Sequence, residues 1–198
     1  MLKKSISILL ITSSLSAYHQ FNININSDEL ESGIDLDIAQ FSKRMKVNRY
    51  FLGLDYLYSE DDDTSSDSDY LTSIKFMMKG KFHRARTISF GLGGKVVNGS
   101  VEDYDISAIP LGIYGNFKLP IKSLPISLTT QFFYSPKPLT FGDGNNYTEQ
   151  KYELGFEPFR MGEIYIGYRD IQFETTPELG EKKIAVSQMA YIGFRIGF

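Results

Sequence analysis

The sequence predicts an all-β protein, an antiparallel transmembrane β-barrel of about ten strands. Three observations carry that expectation. Apolar and polar residues alternate over stretches of up to about 15 residues, well beyond the usual globular strand. The connections fall into a longer acidic set and a shorter basic set, in strict alternation. The chain ends on an aromatic residue inside an alternating run, Tyr191 to Phe198.

The 198 residues carry a net charge of −3, with 42% hydrophobic residues, 17 Gly and no Cys. That composition suits one domain with a full core, or two small ones. The absence of Cys removes disulfides, a thiolate nucleophile and any Cys-ligated metal centre. Mild acidity gives no reason to expect nucleic acid as a partner. No run of about 20 apolar residues exists, so a helical membrane span is excluded and strands are the remaining way across.

Residues 1–17 have the layout of a secretory signal peptide: Lys3 and Lys4, an apolar centre from Ile6 to Ile11, and small residues from Ser13 to Ala17. Cleavage is expected after Ser16 or Ala17, leaving residues 18–198 as the barrel domain.

Ten strand segments follow, at about 19–27, 32–42, 47–59, 70–82, 86–98, 104–119, 125–136, 147–158, 162–174 and 184–198. Tyr50, Leu52, Leu54, Tyr56 and Tyr58 share one face of the third; Ile74, Phe76 and Met78 share one face of the fourth. A tilted transmembrane strand needs about 9–11 residues, and these segments supply them. In the sixth, Pro110 cannot donate to a ladder, so a bulge or irregular pairing is expected there. Eight strands remain the alternative count, with the first two segments packed as a plug or extension.

The acidic connections are 27–31, 59–69, 99–105, 136–146 and 175–183. The others are short and centre on Lys43, Arg44 and Lys46, on Lys81, His83, Arg84 and Arg86, on Lys118 and Lys122, and on Arg160. Long loops outside and tight periplasmic turns form the outer-membrane barrel pattern. In the last segment Ile192, Phe194, Ile196 and Phe198 share a face. Gly193, Ile196 and Phe198 match the C-terminal assembly signal of bacterial outer-membrane proteins, with Gly five residues before a terminal Phe and an apolar residue two before it.

Phe90-Gly-Leu-Gly-Gly-Lys95, Leu111-Gly-Ile-Tyr-Gly115, Phe133-Tyr-Ser-Pro136 with Leu139-Thr-Phe-Gly-Asp143, and Ile164-Tyr-Ile-Gly-Tyr-Arg-Asp-Ile171 follow one another in an order that resembles the YfaZ family of Gram-negative outer-membrane proteins. The resemblance covers residues 88–198, and the N-terminal half in pattern. It implies an outer-membrane barrel and transfers no catalytic residues.

Known barrel chemistries find little to work with. His19 lies beside the mature N-terminus and His83 in a short basic turn, so neither sits where a protease or lipase of this architecture needs its base. The run from Ser59 to Asp69 has the first spacings of a calcium loop in Asp61, Asp63 and Ser65. It carries Ser66 where Gly is required and Thr72 where Glu is required, so no metal site is expected. The expectation is a non-enzyme without cofactors.

The inward face is richer. By parity Asp55, Lys75, Lys79, Lys95, Glu149, Lys151, Glu153, Glu157, Arg169 and Arg195 point into the barrel. Arg169 is expected near Glu149 or Glu153 on the neighbouring strand. Such a lumen is either filled by ion pairs or holds a narrow hydrated path for small solutes. Tyr50, Tyr56, Tyr58, Tyr134, Tyr168 and Phe198 suit aromatic girdles at the membrane interfaces. The expected partners are outer-membrane lipid, lipopolysaccharide and the barrel-assembly machinery, with oligomeric state open. The rival reading is a soluble periplasmic or secreted barrel of lipocalin shape, with its apolar face inside around a small apolar ligand; period-two alternation alone does not say which face is inside.

Overall fold

A computed structural model describes residues 19–39, 49–60, 69–81, 87–102, 104–121, 124–159, 161–177 and 182–198, and the structural statements below concern these residues. The expected signal peptide lies outside them, as do the run 61–68 and the basic residues Lys43, Arg44, Lys46, His83, Arg84, Arg86, Lys122 and Arg160.

Twelve strands are present: β1 (Gln20–Ile25), β2 (Glu29–Asp37), β3 (Arg49–Ser59), β4 (Asp69–Lys81), β5 (Ile88–Val101), β6 (Tyr104–Ala108), β7 (Leu111–Lys118), β8 (Ile126–Ser135), β9 (Thr140–Gly142), β10 (Gly144–Phe159), β11 (Gly162–Thr175) and β12 (Lys183–Gly197). They pair antiparallel around a ring, β1-β2-β3-β4-β5-β7-β8-β10-β11-β12, and β12 returns to β1. β6 and β7 both pair with β5 and form one stave broken at Ile109-Pro110, so the barrel has ten staves. The break costs little hydrogen bonding, because Pro110 O still accepts from Lys95 N at 3.0 Å and Ile109 N donates to Leu139 O at 2.8 Å. Beside β6 the short β9 replaces β8, pairing Thr140–Gly142 with Ile106–Ala108.

The eight-strand alternative fails, because β1 pairs with both β2 and β12 and is part of the wall. The expected loop 27–31 contracts to a tight turn. Asn26 Oδ1 accepts from the N–H of Asp28 at 2.9 Å and of Glu29 at 2.6 Å, a side-chain-made turn that lets β2 begin at Glu29.

Charge and apolarity exchange faces along the barrel axis. Over the part nearer the termini the outward side chains are apolar and exposed, among them Phe21, Leu52, Ile74, Phe76, Leu111 and Ile192, while the inward ones are mostly charged or polar around a small buried cluster of Phe51, Met77 and Phe133. Nearer the opposite rim Leu57, Leu71, Val97, Val101, Ile106, Phe173 and Ile184 point inward and pack as one buried cluster. There the outward residues of β5, β10, β11 and β12 include Asn98, Thr148, Gln150, Asp170, Gln172 and Gln188, while β2, β3 and β4 keep Leu30, Tyr56 and Tyr70 outside. The first arrangement fits hydrocarbon outside, the second water outside. The larger apolar interior, the one of lipocalin kind, therefore lies beyond the membrane-facing band, which holds inside it only the smaller cluster of Phe51, Met77 and Phe133 among the described residues. A bulge helps the exchange: Ile171 pairs with Ser187 and Gln172 with Ala185, leaving Val186 as an extra residue. It puts Ile184 and Val186 inside, while Ser187 and Tyr191 remain inside below it.

Candidate functional site

The lumen is built by the odd-numbered residues of β2, β3, β4, β8, β10 and β11, which the register carries to one face. Arg169, 1% exposed, anchors it. Its guanidinium donates to Glu29 and Glu31 of β2, and its Nε donates to Ser187 Oγ at 2.8 Å. Ser187 in turn donates to Glu29 at 2.9 Å. Lys151 pairs with Glu31, which also accepts from Asn24 at 2.8 Å. Glu149 accepts from Lys95 at 2.5 Å and from the Tyr147 hydroxyl at 2.7 Å, and Lys95 lies over the Phe133 ring.

Two further groups lie nearer the termini. Lys75 stands 3.0 Å from Asp35 and 2.9 Å from Asp55. Arg195 donates to Glu153 at 2.7 Å and to Glu163 at 2.5 Å, and stacks over Tyr165. Lys79 has no ion pair among the described residues; its ammonium rests between the rings of Phe51 and Tyr114, at 4.7 and 4.3 Å. A polar cavity of about 160 Å³ runs among these groups, from Lys95, Glu149 and Lys151 past Lys79 to Lys118 and Glu157 at the terminal mouth. It has room for water and polar partners to hold it.

Asp55, Lys75, Lys95, Glu149, Glu153, Arg169 and Arg195 all line this interior. Arg169 is not matched to Glu149 or Glu153. Its register neighbours are Lys151 and Met189, and its side chain reaches past β12 and β1 to the carboxylates of β2. The sequence reading also missed Glu29 and Glu31, assigned there to an acidic loop, and left Asp35 and Glu163 out of the inward set. A signal existed for the first three: they occupy odd positions while Leu30, Ile34 and Leu36 occupy even ones. His19 sits at the seam, where its Nδ1 accepts from Asp37 N at 3.2 Å, and His83 lies outside the described residues. Among the described residues no group of three or more His, Asp or Glu is placed to hold a metal ion.

The family model described as YfaZ precursor matches residues 2–198, essentially the whole chain. The chain belongs to the YfaZ family. Family and inside-out wall together make it an outer-membrane β-barrel. No curated protein matches the YfaZ chain. Among solved structures, the crystal structure of the outer membrane channel DcaP of Acinetobacter baumannii is similar at 11% identity and a TM-score of 0.44, over 94% of this chain and 55% of that one. The YfaZ chain thus spans about half the length of that channel.

The seam of the YfaZ barrel has a distinctive construction. β12 runs from Lys183 to Gly197, yet β1 pairs with it only over residues 192–197. Side chains supplement this short ladder from inside: Arg169 and Lys151 reach Glu29 and Glu31, and the Tyr165 hydroxyl donates to Asn24 Oδ1 at 2.5 Å. Each of these joins β10 or β11 to β1 or β2 across the closure. Gly193 serves the same packing, since a Cβ there would fall 2.2 Å from the Tyr165 ring. Phe198 and His19 exchange backbone hydrogen bonds of 3.0 and 3.1 Å at the end of the seam.

Proposed function

We propose that this YfaZ protein serves the outer membrane as a sealed structural or interaction barrel, neither a porin nor an enzyme. The observation that carries this reading is the filled lumen. Ion-paired side chains occupy the middle, and above them the apolar cluster around Phe173, Ile184 and Val97 closes the passage toward the outer rim. Ten staves enclose far less space than the 16–18 strands of open porins. The purified full-length mature barrel in a planar bilayer is expected to give no regular conductance steps. Tyr147→Ala combined with Phe173→Ala removes the bulk of the apolar closure and is expected to admit brief openings. Steady ohmic conductance from the unaltered protein would sink the proposal. It would favour the second reading, a narrow small-solute channel, which the polar cavity running among the lumen charges supports.

The proposal includes the assembly machinery as a transient partner, reading Gly193, Ile196 and Phe198 as the signal presented by β12. Deleting Phe198 is expected to reduce the heat-modifiable band in the outer-membrane fraction several-fold. Equal band intensity in both strains would remove Phe198 from that role.

A further inference from the structure

We infer that the lumen holds a binding site, entered from the terminal mouth, for one small zwitterionic amino acid. The inference rests on the sealed-barrel reading, since the closed outer rim makes the polar cavity a blind pocket with one entrance.

The side chains lining the cavity are of two kinds, those already engaged and those with capacity to spare. Lys75, Lys95, Lys118, Lys151 and Arg195 each have a carboxylate partner. Lys79 has none among the described residues, and its ammonium is supported only by the faces of the Phe51 and Tyr114 rings. The amides of Asn22 and Gln131 also line the cavity, without a side-chain hydrogen bond among the described residues. Asp35 is 6% exposed. Lys75 stands 3.0 Å from its Oδ1 but gives its hydrogen bond to Asp55 at 2.9 Å, and Asp35 Oδ1 accepts none. The carboxylate thus retains accepting capacity where it lines the cavity.

These spare groups divide between facing walls. Gln131 is the register neighbour of Tyr114, so this amide and the Lys79 ammonium belong to the wall of β7 and β8. Asn22 pairs with Gly33, two residues from Asp35, on the wall of β1 and β2. In the ring of ten staves β1 lies opposite β7 and β2 opposite β8. A Cβ at Gly33 would meet Asn22 Oδ1 at 2.8 Å, and one at Gly53 would meet Asp35 Oδ1 at 2.2 Å. Asn22 and Asp35 therefore lie back against bare backbone, which keeps the space between the walls clear.

Charge selects the occupant. A cation held inside a barrel without a carboxylate is costly, and an anionic group answers it. An anion alone meets Asp35, a cation alone meets Lys79, and a neutral polyol leaves both charges unanswered. An α-amino acid brings a carboxylate for Lys79 and Gln131 and an ammonium for Asp35 and Asn22. The volume of about 160 Å³ restricts it to a short side chain. At the entrance Lys118 and Glu157, paired at 2.7 Å, present both signs to an arriving zwitterion.

The test uses the full-length mature barrel refolded in perdeuterated detergent, with L-alanine, acetate and methylammonium as probes. Each probe carries one methyl group, and saturation transfer from the barrel to that methyl reads binding by NMR. Alanine is expected to give a saturable signal, and acetate and methylammonium to bind about tenfold more weakly or worse, each lacking one charged contact. Lys79→Met is expected to abolish the alanine signal. Asp35→Asn is expected to weaken alanine and strengthen acetate, because it removes the ammonium's partner and the acetate's repulsion together. No saturable alanine signal, acetate binding as well as alanine, or an undiminished signal in Lys79→Met would overturn the inference. Should Lys79→Met not refold, Asp35→Asn decides: an unchanged ratio of alanine to acetate overturns the site as drawn. Planar bilayers separate the two readings. Steady conductance with saturable alanine binding sinks the sealed barrel and leaves the site, whereas silent bilayers without alanine binding do the reverse.

Discussion

Arg169→Met is expected to lower the stability of the barrel by about 3–5 kcal/mol, the usual effect of removing one member of a buried ion pair. Arg169 is 1% exposed, and Glu29 and Glu31 both depend on it. Its loss leaves Glu29 with Ser187 and Asn26 and Glu31 with Lys151 and Asn24. Because these carboxylates stand on β2, the damage falls on the closure between β1 and β12, where the backbone ladder spans only six register pairs. Urea titration of the refolded barrel, read by the heat-modifiable band, measures the loss. Adding Glu29→Gln to Arg169→Met is expected to recover part of it, because an uncharged amide costs less to bury unpaired than a carboxylate. If the single variant matches the parent in urea, the lumen is solvated enough that the ion pairs contribute little.

Phe76→Arg is expected to cost about 2–4 kcal/mol, as does a cation placed on the lipid face of a barrel near the midplane. Leu52 faces Phe76 in the register between β3 and β4, so Leu52→Arg is expected to behave alike. Both side chains are nearly half exposed within the apolar band. The informative contrast is Gln172→Arg, also outward but above the level where the faces exchange, and expected to be nearly neutral. Yield in the outer-membrane fraction for the three variants, beside the parent, checks all three at once. Normal insertion of Phe76→Arg and Leu52→Arg would mean that the band does not contact hydrocarbon.

The parity of the sequence was enough to sort the wall of the membrane-facing part. Leu52, Phe76 and Ile192 lie outside, and Asp55, Lys75 and Arg195 inside, because a period of two leaves only two choices and strand length decides for a membrane. Pro110 likewise announced the broken stave. Three features went unread, the first of them despite its odd-position parity. Glu29 and Glu31 sit in a run dense in acid, which reads as a solvated loop until Arg169 and Lys151 are known to face them. The partner of Arg169 depends on a reach across the seam, whereas sequence spacing offers only adjacent strands. The bulge at Val186 leaves no local mark, since Ile184, Val186 and Ser187 make sense in parity only after the pairing with β11 is known.

The exchange of faces along the axis also governs how the protein meets bilayers of different thickness. Raising the barrel by one residue step would lift apolar rows such as Tyr152, Tyr168 and Ala190 into water; lowering it would drive Asp170 and Gln188 into hydrocarbon. Neither movement is compensated by the interior, whose charged and apolar tiers are locked to the same strands. The vertical setting of the molecule is therefore rigid, and adjustment to mismatch passes to the lipids, which must thin or thicken around it. A membrane whose hydrocarbon matches the apolar band will retain this protein with least deformation, so bilayer thickness itself becomes a determinant of where the barrel accumulates.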